Sequence, residues 1–99
     1  MKPREFVQLD PALLHLPGAR RDGADPEKLL RQLNRYGTHI DGMPPLEVKR
    51  GLDGELVIFD GVTRATRVAK YCPGALITVE VTGDLNGMVG DLPTVGERL

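Results

Sequence analysis

One cysteine, no tryptophan and four aromatic residues in all set the first limits on this 99-residue chain. A lone Cys72 cannot close an intramolecular disulfide, and beside only two histidines it gives no Cys-rich zinc site; no metal site is expected. So few aromatic rings exclude an extended stacking platform for single-stranded nucleic acid. No charge of one sign prevails: thirteen Lys and Arg face fourteen Asp and Glu, for a net charge of −1. A wholesale polyanion binder is therefore excluded, and any basic surface must be local. No apolar run approaches a bilayer span, and the N-terminus lacks the apolar core of a secretory leader. A cytoplasmic protein with no membrane association is expected, although a toxin fragment cut from a larger secreted chain would share these absences.

What is there reads as alternating short strands and helices. Glu5 to Leu9 forms a strand, and Asp10-Pro11 opens a turn that carries Leu13 and Leu14. Leu16 to Ala24, with Pro17, two glycines and Arg20-Arg21, is a loop. Asp25-Pro26-Glu27 starts a helix with a cap residue, a proline and an acid, and Gly37 closes it after Leu29, Leu30 and Leu33. Thr38 to Pro44 connects to a strand from Leu46 to about Arg50. Gly51-Leu52-Asp53-Gly54 turns that strand back into Glu55 to Phe59 as a hairpin. A second helix spans Val62 to Tyr71, with Ala65, Val68, Ala69 and Cys72 as its apolar stripe, until Pro73-Gly74 stops it. Leu76 to Val81 alternates as a strand with one wet face. The order predicts an α+β domain, a small mixed β-sheet with two main helices packed against it, over residues 1–83. Residues 84–99 form a C-terminal tail whose order the pattern leaves open.

The stretch Asp60-Gly61-Val62-Thr63-Arg64 is the most pointed local signal. A strand that turns on glycine into a helix gathers free backbone N–H groups and the positive helix end at one place, a generic seat for phosphate. Arg64 in the first helical turn sits where a cation is locally unfavourable by a few tenths to about 1 kcal/mol, which an anion would offset.

The order of these pieces, with Pro44-Pro45-Leu46-Glu47-Val48 ahead of the hairpin and Gly54-Glu55-Leu56-Val57-Ile58-Phe59-Asp60-Gly61 after it, resembles the ParB/sulfiredoxin superfamily, specifically its ParB N-terminal-like domain. The similarity covers roughly Phe6 to Thr82, and Asp25-Pro26-Glu27-Lys28-Leu29 is similar to the start of the first helix in sulfiredoxins. The resemblance implies a nucleotide, of the ATP or CTP type, bound beside the glycine turn. Gly61 and Arg64 match the family's Gly-x-x-Arg element, and Lys28 matches a nucleotide-binding lysine of sulfiredoxins. Val62 and Thr63 stand where sulfiredoxins carry the catalytic cysteine and a histidine, so that chemistry is not expected. No helix-turn-helix segment follows, so sequence-specific DNA reading is unsupported.

The candidate ligand residues are Gly61, Thr63 and Arg64 at the turn, Lys28 and Arg31 on the first helix, and Arg20 and Arg21 on the glycine-rich loop. Thr63 caps the second helix or touches a phosphate, and Asp60 is the cap or holds a metal accompanying a nucleotide. Arg67 and Lys70 are expected on a solvated helix face. His15 and His39 lie in connectors with no evident partner, so no histidine base is assigned. Glu47 and Glu55 read as a hairpin rim paired with Lys49 or Arg50, and Tyr36 and Tyr71 as packing at helix ends. Three functions remain open. One is binding of a nucleotide or other phosphate-bearing ligand, with Mg²⁺ and hydrolysis or phosphoryl transfer as an extension. Another is a nuclease-like or toxin-type effector acting on DNA or RNA. The last is a non-catalytic module that meets a protein partner through the C-terminal tail.

Overall fold

Local chemistry sets most element boundaries in the structure, a computed structural model that describes residues 3–38 and 42–99. His39 and the middle of the Thr38–Pro44 connector lie outside the described residues. Helix α1 (Pro26–Tyr36) begins where the Asp25 carboxylate accepts a hydrogen bond from the Glu27 N–H at 2.9 Å, with Pro26 in the first position. It ends where Gly37, at φ +61°, donates its N–H to Leu33 O. Helix α2 (Val62–Tyr71) follows strand β3 (Leu56–Asp60) through the single residue Gly61.

The expected α+β architecture is present. Strands β1 (Glu5–Leu9), β2 (Leu46–Arg50), β3 and β4 (Ile77–Asp84) form one mixed sheet in the order β1-β4-β2-β3. The central pair β2 and β4 is parallel, and the outer pairings are antiparallel. Alternation sends Leu46, Val48, Ile58, Ile77 and Val79 into the core, where the Ala65/Val68/Ala69 stripe of α2 covers them. Leu14 and Leu16, from the segment after β1, are fully buried in the same cluster. Among the described residues no helix is long and apolar enough to cross a membrane.

Residues after Asp84 pack back onto this body. His15 N–H donates to Leu56 O and His15 O accepts from Ile58 N–H, so the segment runs along the outer edge of β3. Its other side accepts the tail: Leu16 N–H donates to Pro93 O at 2.7 Å and Val95 N–H to Leu14 O at 2.9 Å. Val89 and Val95 are buried, at 4% and 1% exposure. Asp53 in the β2–β3 turn fastens the start of the tail by accepting from the N–H groups of Gly90 at 2.8 Å and Val89 at 3.2 Å.

The histidine and the inner arginine of α2 depart from expectation. His15 is 8% exposed and does have partners: its Nδ1 lies 2.7 Å from Leu92 O, and its Nε2 lies 3.4 Å from a Glu55 carboxylate oxygen. Glu55 therefore serves the histidine rather than a rim salt bridge, because the tail and the His15 segment fold over the hairpin. Arg50 does pair at a rim, with Glu5 and with Asp84, and Glu47 accepts from the Thr82 hydroxyl.

Two outcomes follow from these contacts. The Asp53 carboxyl is held below its ordinary value chiefly by the Gly90 N–H, and Glu97 chiefly by the Thr94 N–H. Glu5 and Glu80 are lowered by their hydrogen bonds to Arg50 and Arg4. Groups with depressed folded values stabilise the fold fully above their unfolded values, near pH 4, and lose that contribution as pH falls through the folded ones. The thermal midpoint should therefore drop between about pH 5 and 2, and Asp53→Asn should lower it at pH 7 while shrinking the acid-dependent part. A second outcome concerns Gly61, at φ +117°, where a Cβ would stand 2.6 Å from Leu46 Cγ. Gly61→Ala should cost roughly 2–4 kcal/mol in urea unfolding, from a left-handed backbone plus a core clash.

Candidate functional site: a cationic cleft between the two helices

Among the described residues, no side chain caps the N-terminus of α2. Gly61 is the N-cap residue, and neither Asp60 nor Thr63 bonds the first amides of the helix. The expected capping roles fail for a geometric reason: the left-handed Gly61 backbone carries the chain past the amides, and Asp60 is drawn to Arg64 instead, at 3.8 Å. Thr66 does not reach forward either; its hydroxyl donates back to Val62 O at 2.8 Å. Among the described residues, first-turn N–H groups thus have no side-chain cap.

Arg64 is half-buried beside this turn. One of its guanidinium nitrogens donates to Pro44 O at 3.1 Å, which fixes the side chain against the β2 entry rather than in bulk water. A cavity of about 240 Å³ opens there, bordered by Gly61, Thr63, Arg64, Lys28 and Arg20. An adjoining cavity of about 280 Å³ shares Lys28, Gln32 and Thr63 with it and continues along α1 past Arg31 and Arg35.

Six of the seven residues expected at a ligand site, Gly61, Thr63, Arg64, Lys28, Arg31 and Arg20, border these two spaces. Arg21 does not; it is exposed, and its carbonyl accepts from Arg98 Nε at 2.9 Å. Gln32, Arg35 and Phe59 also border the cleft and were not anticipated. The 3.6-residue repeat placing Arg31 and Arg35 one turn apart was the available signal for Arg35, obscured by its suitability for the helix C-terminus.

Arg67 overturns the expectation of a solvated α2 face. It is 3% exposed; its guanidinium donates to Gly37 O at 3.1 Å and lies 5.6 Å from the Tyr36 ring centroid. The physical reason is that α1 docks on this face of α2, turning a polar stripe into an interhelical contact. Arg67 therefore joins the two helices beside the cleft, whereas Lys70, one turn on, is exposed as expected.

The electrostatic balance of the cleft is one-sided. Among the described residues, none of Arg20, Lys28, Arg31 and Arg35 forms an ion pair, and Asp60 is the one carboxylate that borders either cavity. Glu80, Glu5 and Asp84 act elsewhere, on Arg4 and Arg50. Low-dielectric walls focus such uncompensated charge into the groove and favour anions there. Among the described residues no three or more His, Cys, Asp and Glu gather to hold a metal ion. No protein-family model, curated protein or solved structure matches this chain.

Proposed function

We propose that this chain is a ParB/sulfiredoxin-like domain that binds a phosphate-bearing ligand, a nucleotide in the first instance, in the cleft between α1 and α2. The observation that carries the reading is the meeting, in one cavity, of an uncapped helix N-terminus with Arg64, Lys28 and Arg20, of which only Arg64 has an ion-pair partner among the described residues. Amides at a helix start supply directed donors, and the basic side chains supply charge-assisted ones; phosphate satisfies both. Gly61 brings the backbone close, Arg64 is pre-positioned by Pro44 O, and Lys28 approaches from the opposite helix. Thr63, free of a capping role, adds a hydroxyl donor.

Mg²⁺, if it accompanies the ligand, would arrive bound to phosphate oxygens, with Asp60 as the one carboxylate at the wall. Among the described residues no histidine or cysteine borders the two cavities, so the reading is one of binding, with no general base or nucleophile assigned. A cytoplasmic setting, where nucleotides abound, suits it.

Titration calorimetry with inorganic tripolyphosphate and with ATP or CTP tests the seat. Arg64→Ala and Lys28→Ala should each weaken binding about tenfold to a hundredfold, as loss of a charge-assisted hydrogen bond does. The affinity should fall as salt rises. If Arg64→Ala, still folded by its thermal midpoint, binds as tightly as the parent, the seat is elsewhere.

A further inference from the structure

We infer that Phe59 forms a ring-binding wall of this cleft, so that the ligand carries a planar heterocyclic base as well as phosphate. The inference rests on the phosphate-binding reading above and extends it to a residue that reading does not use. Phe59 lies two positions before Gly61 on β3. Strand alternation puts its neighbour Ile58 in the core at 1% exposure and turns Phe59 outward, where it is 64% exposed. Alternation demands only that this position face away from the core; it does not call for a phenyl ring. A lone exposed apolar residue is ordinary, but this one borders the same cavity as Gly61, Arg64 and Lys28.

Lys49 on the neighbouring strand covers one face of the ring, its Nζ 4.7 Å from the centroid, and so helps set the plane of the phenyl group. Pro17 borders the same space. A flat apolar wall and a cationic, amide-bearing wall thus meet in one cavity, the pairing of surfaces that a nucleotide presents in reverse. The other aromatic residue of the cleft, Tyr36, is already engaged: the guanidinium groups of Arg35 and Arg67 lie 5.3 and 5.6 Å from its ring centroid. With the base on Phe59, the phosphates pass Gly61 and Arg64 and continue toward Lys28, Arg31 and Arg35.

The experiment is a calorimetric comparison of ATP, CTP and inorganic tripolyphosphate at fixed ionic strength. Parent, Phe59→Ala and Phe59→Tyr are used, with thermal midpoints confirming that the exposed substitutions leave the fold intact. The expected result is that the parent binds at least one nucleoside triphosphate more tightly than tripolyphosphate. Phe59→Ala should then weaken that nucleotide roughly five- to hundredfold, the loss typical of a base–aromatic stack, and leave tripolyphosphate unchanged, while Phe59→Tyr restores the nucleotide. If all three ligands bind alike and Phe59→Ala changes none of them, the ring wall is overturned and the phosphate seat stands. Equal weakening of nucleotide and tripolyphosphate by Phe59→Ala would also overturn it, by marking Phe59 as merely structural. Failure of the parent to bind any of the three overturns the seat and the ring wall together.

Discussion

A buried guanidinium has to be hydrogen-bonded, and the cleft in this molecule exists because Arg67 meets that requirement across two helices. Helix α1 contributes no fully buried side chain, and its Leu30 is 58% exposed, so apolar burial anchors it only weakly. What locates its C-terminal end is the Arg67 bond to Gly37 O, with the guanidinium lying against Tyr36. Gly37 is able to present that carbonyl because it leaves the helix at positive φ. One arginine on α2 and one glycine after α1 thus tie together the two helices that wall the cleft.

Charge segregation gives the cleft its character. Elsewhere on the surface two arginines are matched by carboxylates: Arg4 with Glu80, and Arg50 with Glu5 and Asp84. Along α1 and its facing loop they are not, and the same near-neutral total conceals a strongly basic groove. Like charges spaced a helical turn apart cost a few tenths of a kcal/mol per pair in an isolated helix. Leaving them unneutralised is thus a small penalty in the free protein, one that an entering anion would remove.

The elements themselves were largely legible in the residues. Asp25-Pro26 and Gly37 mark both ends of α1, and alternation from Leu76 to Val81 locates most of β4. The α2 span from Val62 to Tyr71 follows from its apolar stripe and the Pro73-Gly74 stop. Much of the cleft was legible too, because a glycine turn into a helix is a local motif. What failed to show depends on contacts remote in sequence. Arg67 looked solvated because periodicity reports only that a face is polar, not that another helix will lie on it. His15 looked partnerless because Glu55 and Leu92 reach it only after the hairpin and the tail have folded over. The tail looked undecided because two buried valines, Val89 and Val95, among glycines form no period. Phe59 read as one more strand residue, since nothing local distinguishes a ring facing water from a ring facing a cavity.

The sheet order has a consequence for how the chain acquires its shape. Among the described residues strand β1 has no sheet neighbour but β4, and the Arg4–Glu80 contact beside it joins residues 76 positions apart. The hairpin β2–β3 and helix α2 can form from local pairings, but the first strand must stay unpaired until β4 exists. Closing so long a loop is entropically slow, and parallel docking of β2 on β4 adds a second non-local step. During synthesis, therefore, β1 emerges well before the strand that secures it.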